Sequence, residues 1–140
     1  MILLDTNVVS EPMRPNPDPN VLEWLDAQIA ETLYLSSISL AELLLGIESL
    51  PPGKRRKGLA AALDEQLHAL FADRLLAFDR SAAEAYPRIV IRARRHGYAI
   101  AVPDAQIAGI AASRQFSVAT RDVAPFEAAG VATINPWSAK

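Results

Sequence analysis

Short apolar runs alternate with longer segments of helical spacing along the whole chain. Residues 1–4 are continuously apolar and stop at Asp5, which is typical of a strand buried on both faces of a parallel sheet. Further strands are predicted at residues 33–38, 74–78, 116–119 and 131–134, with helices between them. This alternation predicts an α/β fold with a mostly parallel central sheet flanked by helices.

Four acidic residues stand where an apolar run gives way to a helical one. They are Asp5, Glu42, Asp104 and Asp122, and the run before Asp104 is Ala99 to Pro103. If those runs are neighbouring parallel strands, the carboxylates meet at the carboxyl edge of the sheet, where open α/β folds bind ligands. Two carboxylates about 5 Å apart repel by roughly 3 kcal/mol at an effective dielectric near 20. Magnesium or manganese removes that repulsion, so we expect a metal-dependent phosphoester enzyme.

Two of these acids have a competing structural explanation at the start of a helix. Asp5 can cap the turn that begins at Thr6. Glu42 closes the sequence Ser39-Leu40-Ala41-Glu42, which fits a capping box in which the glutamate folds back onto the cap's amide. Taken alone, Glu42 would be interpreted as structural.

The other two acids, and one further aspartate, raise the same question. Asp104 follows Pro103 in the first turn of its predicted helix, where the dipole favours a carboxylate whatever its function. Asp122 can cap a short segment at residues 123–129. Asp79 has the same strand-to-helix location, and position alone does not exclude it from the site. A joint role for the four acids therefore depends on their meeting in space.

Composition favours one small domain spanning residues 1–140, because 51% hydrophobic content suits a single core. The chain has no cysteine and two histidines, His68 and His96, so thiolate chemistry and a histidine-rich zinc site are excluded. No apolar run reaches the length of a membrane span, and Asp5 interrupts the first one. We expect a cytoplasmic protein without membrane contact.

The net charge of −2 provides no global field for a polyanion, so contacts to nucleic acid must rest on local patches. One patch is Lys54 to Lys57, for which a solvated helix start is an equally good explanation. The other comprises Arg88, Arg92, Arg94 and Arg95 with His96. Arginines late in a helix also complement its dipole, which slightly favours a structural interpretation.

Several linear motifs resemble those of the PIN-domain ribonucleases, and most closely their VapC/FitB-type toxin branch. The motifs are Leu3-Leu-Asp-Thr-Asn-Val-Val-Ser-Glu, Ser39-Leu-Ala-Glu-Leu-Leu-Leu-Gly, Pro103-Asp-Ala-Gln-Ile-Ala-Gly-Ile-Ala, Thr120-Arg-Asp-Val-Ala-Pro-Phe and Asn135-Pro-Trp. They cover residues 2–137 in the family's order and spacing. The resemblance implies a PIN-like fold in a single PIN domain, with the acidic site at the carboxyl edge of the strands.

The resemblance also implies the site and the activity. Asp5, Glu42, Asp104 and Asp122 correspond to the acidic quartet that binds Mg²⁺ or Mn²⁺, and Thr120 to a hydroxyl residue found near it. Many members have asparagine where Asp122 stands and an aspartate where this chain has Pro125, so the duty of Asp122 is the least defined. The activity implied is metal-dependent endonucleolytic cleavage of RNA.

Partners follow from the same resemblance. Toxins of this kind are held inactive by a small antitoxin whose tail can place a basic side chain in the acidic pocket. We expect a homodimer, alone or within a larger toxin–antitoxin complex. DNA would be contacted only through the antitoxin, because this chain shows no DNA-binding motif of its own.

Two other functions are weighed against this interpretation. Phosphohydrolases of the haloacid-dehalogenase type also begin with an apolar strand that ends in an aspartate, but they need a second aspartate two residues on, where this chain has Asn7. The alternative of another class is a non-catalytic partner-binding module whose acids serve only as helix caps. Retention of all four acids argues against it.

Overall fold

The computed structural model describes residues 1–138. Five strands alternate with seven α-helices, and two short 3-10 helices follow α1 and α2. The elements are β1 (Ile2–Leu4), α1 (Thr6–Ser10), α2 (Pro19–Ala27), β2 (Leu33–Ser36), α3 (Ser37–Glu48), α4 (Lys54–Ala69), β3 (Leu75–Leu76), α5 (Arg80–Arg95), α6 (Val102–Arg114), β4 (Ser117–Ala119), α7 (Ala124–Ala128) and β5 (Thr133–Ile134).

The five strands form one sheet in the order β3-β2-β1-β4-β5. All four neighbouring pairs are parallel, so the predicted parallel α/β architecture is confirmed. Strand β1 lies at the centre, and Leu4 is in register with Leu35 of β2 and Ala119 of β4. The residues that follow these three strands therefore emerge together at one edge of the sheet.

Both faces of the sheet are covered, as expected for parallel strands. Leu3 and Val118 point to one face and pack with residues of α5, α6 and α7, including Phe126. Leu4 and Ala119 point to the other and pack with residues of α1, α3 and α4. The alternation within β1 thus divides the core into two layers and holds the central strand rigidly between them.

Several helix ends carry standard capping residues. Asp18 caps α2 through its side chain with Pro19 in the first turn, and Asp79 caps α5 by accepting a hydrogen bond of 3.0 Å from the Ala82 amide. Helix α5 ends before Gly97, whose φ of +77° suits the reversal there.

Two apolar segments lie outside the strands and helices of the core. Residues 99–101, treated above as a possible strand, are not one, and α6 begins at Val102, so Asp104 lies in the first turn of a helix as predicted but no strand precedes it. Ile29, which continues the apolar spacing of α2, lies beyond the end of that helix and is 68% exposed. In both places apolar composition was not matched by a neighbouring strand or a core to pack against.

Within residues 1–138, no helix combines the length and the apolar character needed to cross a membrane.

Candidate active site

Asp5 and Thr120 stand side by side at the carboxyl edge because they directly follow the paired strands β1 and β4. The Asp5 amide donates to the Ala119 carbonyl at 2.9 Å, which extends the ladder by one residue. The Thr120 hydroxyl then donates to Asp5 Oδ2 at 2.8 Å, and both residues are buried. The hydroxyl residue expected near the acidic site therefore contacts its central carboxylate.

The second oxygen of Asp5 is also occupied. The Thr6 amide donates to Oδ1 at 2.8 Å, which makes Asp5 the cap of α1. The capping explanation for Asp5 is thus correct, and it accounts for only one of the two oxygens. Burial raises the pKa of Asp5, the hydrogen bonds from Thr120 and Thr6 lower it, and the charges of Glu42 and Asp122 raise it again.

Glu42 is directed at the site and not at its own helix. Helix α3 begins at Ser37 and is capped by Ser36, whose hydroxyl oxygen accepts from the Ser39 amide at 3.0 Å. The capping box expected from Ser39 and Glu42 is therefore wrong, because the helix starts earlier and Glu42 falls in its second turn. Instead, Glu42 Oε1 accepts a hydrogen bond of 2.7 Å from the Thr6 hydroxyl.

Asp104 lies in the first turn of α6 and is partly buried. Its pKa is raised to about 6, first by burial and then by the charges of Asp5, Glu42 and Asp122. The dipole at a helix start favours an ionised carboxylate, so burial and the neighbouring negative charges outweigh it at this position.

Asp122 is exposed and does not cap the helix that follows it. The cap position of α7 is Val123, without a side-chain hydrogen bond, so the predicted capping role is wrong. The Asp122 amide donates to the Thr120 hydroxyl oxygen at 3.2 Å, which ties this turn to Asp5 through Thr120. The Asp122 carboxylate contributes to the raised pKa of both Asp5 and Asp104.

The structure brings the four predicted site residues into one electrostatic cluster. Every charge that shifts the pKa of Asp5 or Asp104 comes from another of the four, and Asp79 contributes to neither. Among the residues that the structure describes, none of the four carboxylates forms an ion pair with lysine, arginine or histidine. The cluster therefore carries uncompensated negative charge.

The donor set fits a hard divalent cation in chemical type. It offers carboxylate oxygens, and Asn7, two residues after Asp5, has a buried Oδ1 that accepts no hydrogen bond. As the side chains stand, no three His, Cys, Asp or Glu residues in the described part of the chain are close enough together to hold an ion. Glu42 and Asp122 are exposed, so rotation of their side chains could bring their carboxylates inward.

Thr6 has a clear structural duty at the site that was not assigned from the sequence. It links Asp5 through its amide with Glu42 through its hydroxyl. The available signal was a hydroxyl residue directly after Asp5. Glu11, in the same motif, has a separate structural duty, since it is buried, accepts from the Asp18 amide at 2.8 Å and pairs with Arg14 at 3.3 Å.

An apolar cleft of about 340 Å³ opens beside Thr6 and Glu42. Leu43, Ile47 and Leu59 are among its lining residues, and Arg14 and Arg55 also line it. The first basic patch therefore places Arg55 close to the acidic cluster.

Comparison with known proteins identifies relatives over the whole length of the chain. The family model described as PIN domain matches residues 2–131. The plasmid stability protein StbB of Pseudomonas syringae pv. tomato is 52% identical over 99% of this chain and 100% of its own. Toxin FitB of Neisseria gonorrhoeae is 48% identical over 98% and 99%, and VapC ribonuclease Y4jK of Sinorhizobium fredii is 47% identical over 98% of each chain.

Solved structures agree with these relatives. A crystal structure of FitAcB from Neisseria gonorrhoeae superimposes with a TM-score of 0.94 and 47% identity, covering 99% of this chain and 100% of that one. A structure of FitAB bound to an IR36 DNA fragment gives a TM-score of 0.95 at 46% identity, covering 100% and 98%.

Proposed function

The chain belongs to the PIN-domain family, as a toxin ribonuclease of the VapC/FitB type found in toxin–antitoxin systems, and from that premise we propose that it is a metal-dependent endoribonuclease that hydrolyses RNA phosphodiester bonds. The observation that carries the proposal is the cluster of Asp5, Glu42, Asp104 and Asp122 at one edge of the sheet, without a cationic partner among the described residues. We further infer that residues 1–140 form a single PIN domain.

The four carboxylates would hold Mg²⁺ or Mn²⁺, with Asp5 and Asp104 as primary ligands and Asp122 binding directly or through water. When bound, such a cation polarises the scissile phosphate, lowers the pKa of a bound water and stabilises the leaving oxygen. Hydrogen bonds from the Thr6 amide and the Thr120 hydroxyl fix the orientation of the Asp5 carboxylate. Asp5 is therefore preorganised before any ligand arrives.

Glu42 has a different duty in this proposal. Its Oε1 accepts from the Thr6 hydroxyl, which leaves Oε2 to accept a proton from the attacking water or to orient it. Glu42 is exposed, so water and RNA can reach it.

Partner binding can be placed on the same edge of the molecule. Relatives with this fold occur in toxin–antitoxin systems, and we propose that an antitoxin tail lies in the apolar cleft beside Glu42 and places a basic side chain among the carboxylates. We also propose a homodimer within the larger toxin–antitoxin complex, with DNA contacted through the antitoxin. We propose a cytoplasmic activity, because the proposed substrate is RNA.

The test is cleavage of a labelled total-RNA pool by purified, antitoxin-free protein with Mg²⁺, with Mn²⁺ and with chelator, beside the Asp5→Asn variant. We expect discrete fragments that need a metal and are absent from the variant. Absence of cleavage by folded protein under every condition would contradict the proposal and favour a partner-binding module. A phosphohydrolase of the haloacid-dehalogenase type would instead release phosphate from small phosphomonoesters.

A further inference from the structure

The second basic patch forms an open groove on α5 that the proposed active site does not use. The groove has a volume of about 600 Å³, and its lining residues are Pro87, Arg88, Ile91, Arg92, Arg95 and His96. No acidic side chain lines it, in contrast to the cleft that contains Glu42. It therefore combines an apolar floor with concentrated positive charge.

The arginines of the groove lack internal partners. In residues 1–138, the ion pairs of arginine involve Arg14, Arg56, Arg74 and Arg80, and none involves Arg88, Arg92, Arg94 or Arg95. None of these four arginines affects the pKa of Asp5 or Asp104, so they do not neutralise the acidic cluster. A cation in the last turn of a helix is stabilised by the helix dipole by about 0.3–1 kcal/mol. Arg88 lies before that last turn, so the dipole does not account for it.

The geometry of the groove fits a chain of phosphates. Arg88, Arg92 and Arg95 follow one another at intervals of four and three residues on one helix face, which sets their β-carbons about 5–6 Å apart. Successive phosphates of a single strand have a similar separation. Between the arginines, Pro87 and the 43% exposed Ile91 offer apolar surface to the face of an unstacked base.

Arg92 packs against the chain beside α7. Its guanidinium lies against Gly130, where a β-carbon would come within 2.6 Å of Cζ. Because Gly130 has a φ of +81° and no side chain, it leaves room for Arg92. Arg92 therefore contacts the α7 side of the molecule, with Arg88 and Arg95 on either side of it in the row.

We propose that this α5 groove binds the phosphate backbone of the RNA substrate at a place separate from the carboxylate cluster. The inference rests on the proposed ribonuclease function. Without a bound cation the four carboxylates repel RNA, and a single metal site contacts few phosphates, so further cations elsewhere on the surface must contribute to holding the polyanion. The α5 groove supplies the largest set of arginines in the described residues that have no acidic partner.

The test measures RNA affinity without turnover. Fluorescence anisotropy with a labelled single-stranded RNA, in chelator and in an Asp5→Asn background, compares Arg88→Gln/Arg95→Gln with the control Arg80→Gln/Arg114→Gln. Both pairs remove the same charge from exposed positions, and circular dichroism checks that each variant is folded. Two lost phosphate contacts should weaken binding about 10- to 30-fold at 0.1 M salt and reduce the salt slope by about 1.4. The control should change little.

Equal affinity of the two double variants for RNA would overturn the proposal. So would a result in which the α5 variant binds RNA normally but has lost affinity for the antitoxin or altered its oligomeric state, because the groove would then be a protein interface. Failure of the ribonuclease function is distinguishable, since it would appear as absent cleavage in the total-RNA assay and not as a difference between these variants.

Discussion

Asp5 and Asp79 occupy matching places in the sequence and very different places in the molecule. Each follows a strand and caps the helix after it. Asp79 follows the edge strand β3 and its carboxylate accepts from the Ala82 amide. Asp5 follows the central strand β1, is 7% exposed, and has Thr120, Glu42 and Asp122 around it. The position of a strand in the sheet, and not the local motif, distinguishes the two aspartates.

The largest expected effect is a difference in RNA cleavage between a variant of the acidic cluster and a variant of Asp79. Loss of a residue that supports a metal ligand typically reduces activity by about 10- to 100-fold. Asp104 is itself a proposed ligand, so Asp104→Asn should reduce RNA cleavage by more than about 100-fold. Asp79→Asn should retain activity, since asparagine caps a helix about as well as aspartate. Initial rates with saturating Mn²⁺ measure both, and a comparable loss in the two variants would remove the distinction.

The next effect concerns Thr120, which donates a hydrogen bond to Asp5 and has no counterpart beside Asp79. Thr120→Val keeps the shape of the side chain but removes the hydroxyl that donates to Asp5 Oδ2, and cleavage should fall by about 10- to 100-fold. Thr120→Ser restores a hydroxyl and should recover most of the activity. If serine and valine behave alike, Thr120 contributes through packing and not through its hydrogen bond.

A smaller effect concerns stability and its dependence on pH. The pKa of Asp104 is raised from 3.8 to about 6 by burial and by its acidic neighbours. The folded state therefore binds a proton more tightly than the unfolded state, and this group's contribution to stability falls as pH rises from about 3.8 to about 6. After allowance for solvent screening at this partly exposed site, the loss is about 1 kcal/mol.

Asp104→Asn removes that titration. In chelator, urea unfolding should find the variant equal to the parent near pH 4 and more stable by about 1 kcal/mol near pH 7. A difference between variant and parent that does not change with pH would show that the folded state does not raise the pKa of Asp104.

The smallest effect concerns the stability contributed by Asp79 as a helix cap. Asp79→Ala removes the cap of α5 and should lower the free energy of unfolding by about 1 kcal/mol. Urea denaturation measures the loss, and titration with Mn²⁺ should show unchanged affinity. A weaker metal affinity in this variant would place Asp79 within reach of the site.

Much of the fold was predictable because its signals are local. Continuous apolar runs predicted the buried strands, and Asp5 and Asp79 marked the starts of helices. Residues 99–101 do not form a strand. An apolar run alone does not indicate whether a neighbouring strand is available to pair with it. The parallel sheet and the place of Asp104 in the first turn of a helix were therefore predictable, while the absence of a strand before that helix was not.

The motifs predicted members of the site but not the contacts between them. They pointed to the four acids and to Thr120, but Glu42 also matched a capping box, which the earlier start of α3 rules out. The bond between Thr6 and Glu42 joins residues 36 positions apart, and only the packing of α1 against α3 creates it. Such contacts depend on tertiary structure, which local patterns do not encode.

The most direct test of the account is a calorimetric titration of Mn²⁺ into the parent protein, Asp5→Asn and Asp79→Asn at neutral pH. If the carboxyl edge of the central strands is the metal site, the parent and Asp79→Asn bind with the same affinity and Asp5→Asn shows no measurable binding. Equal binding by all three proteins, or equal loss in the two variants, would contradict it.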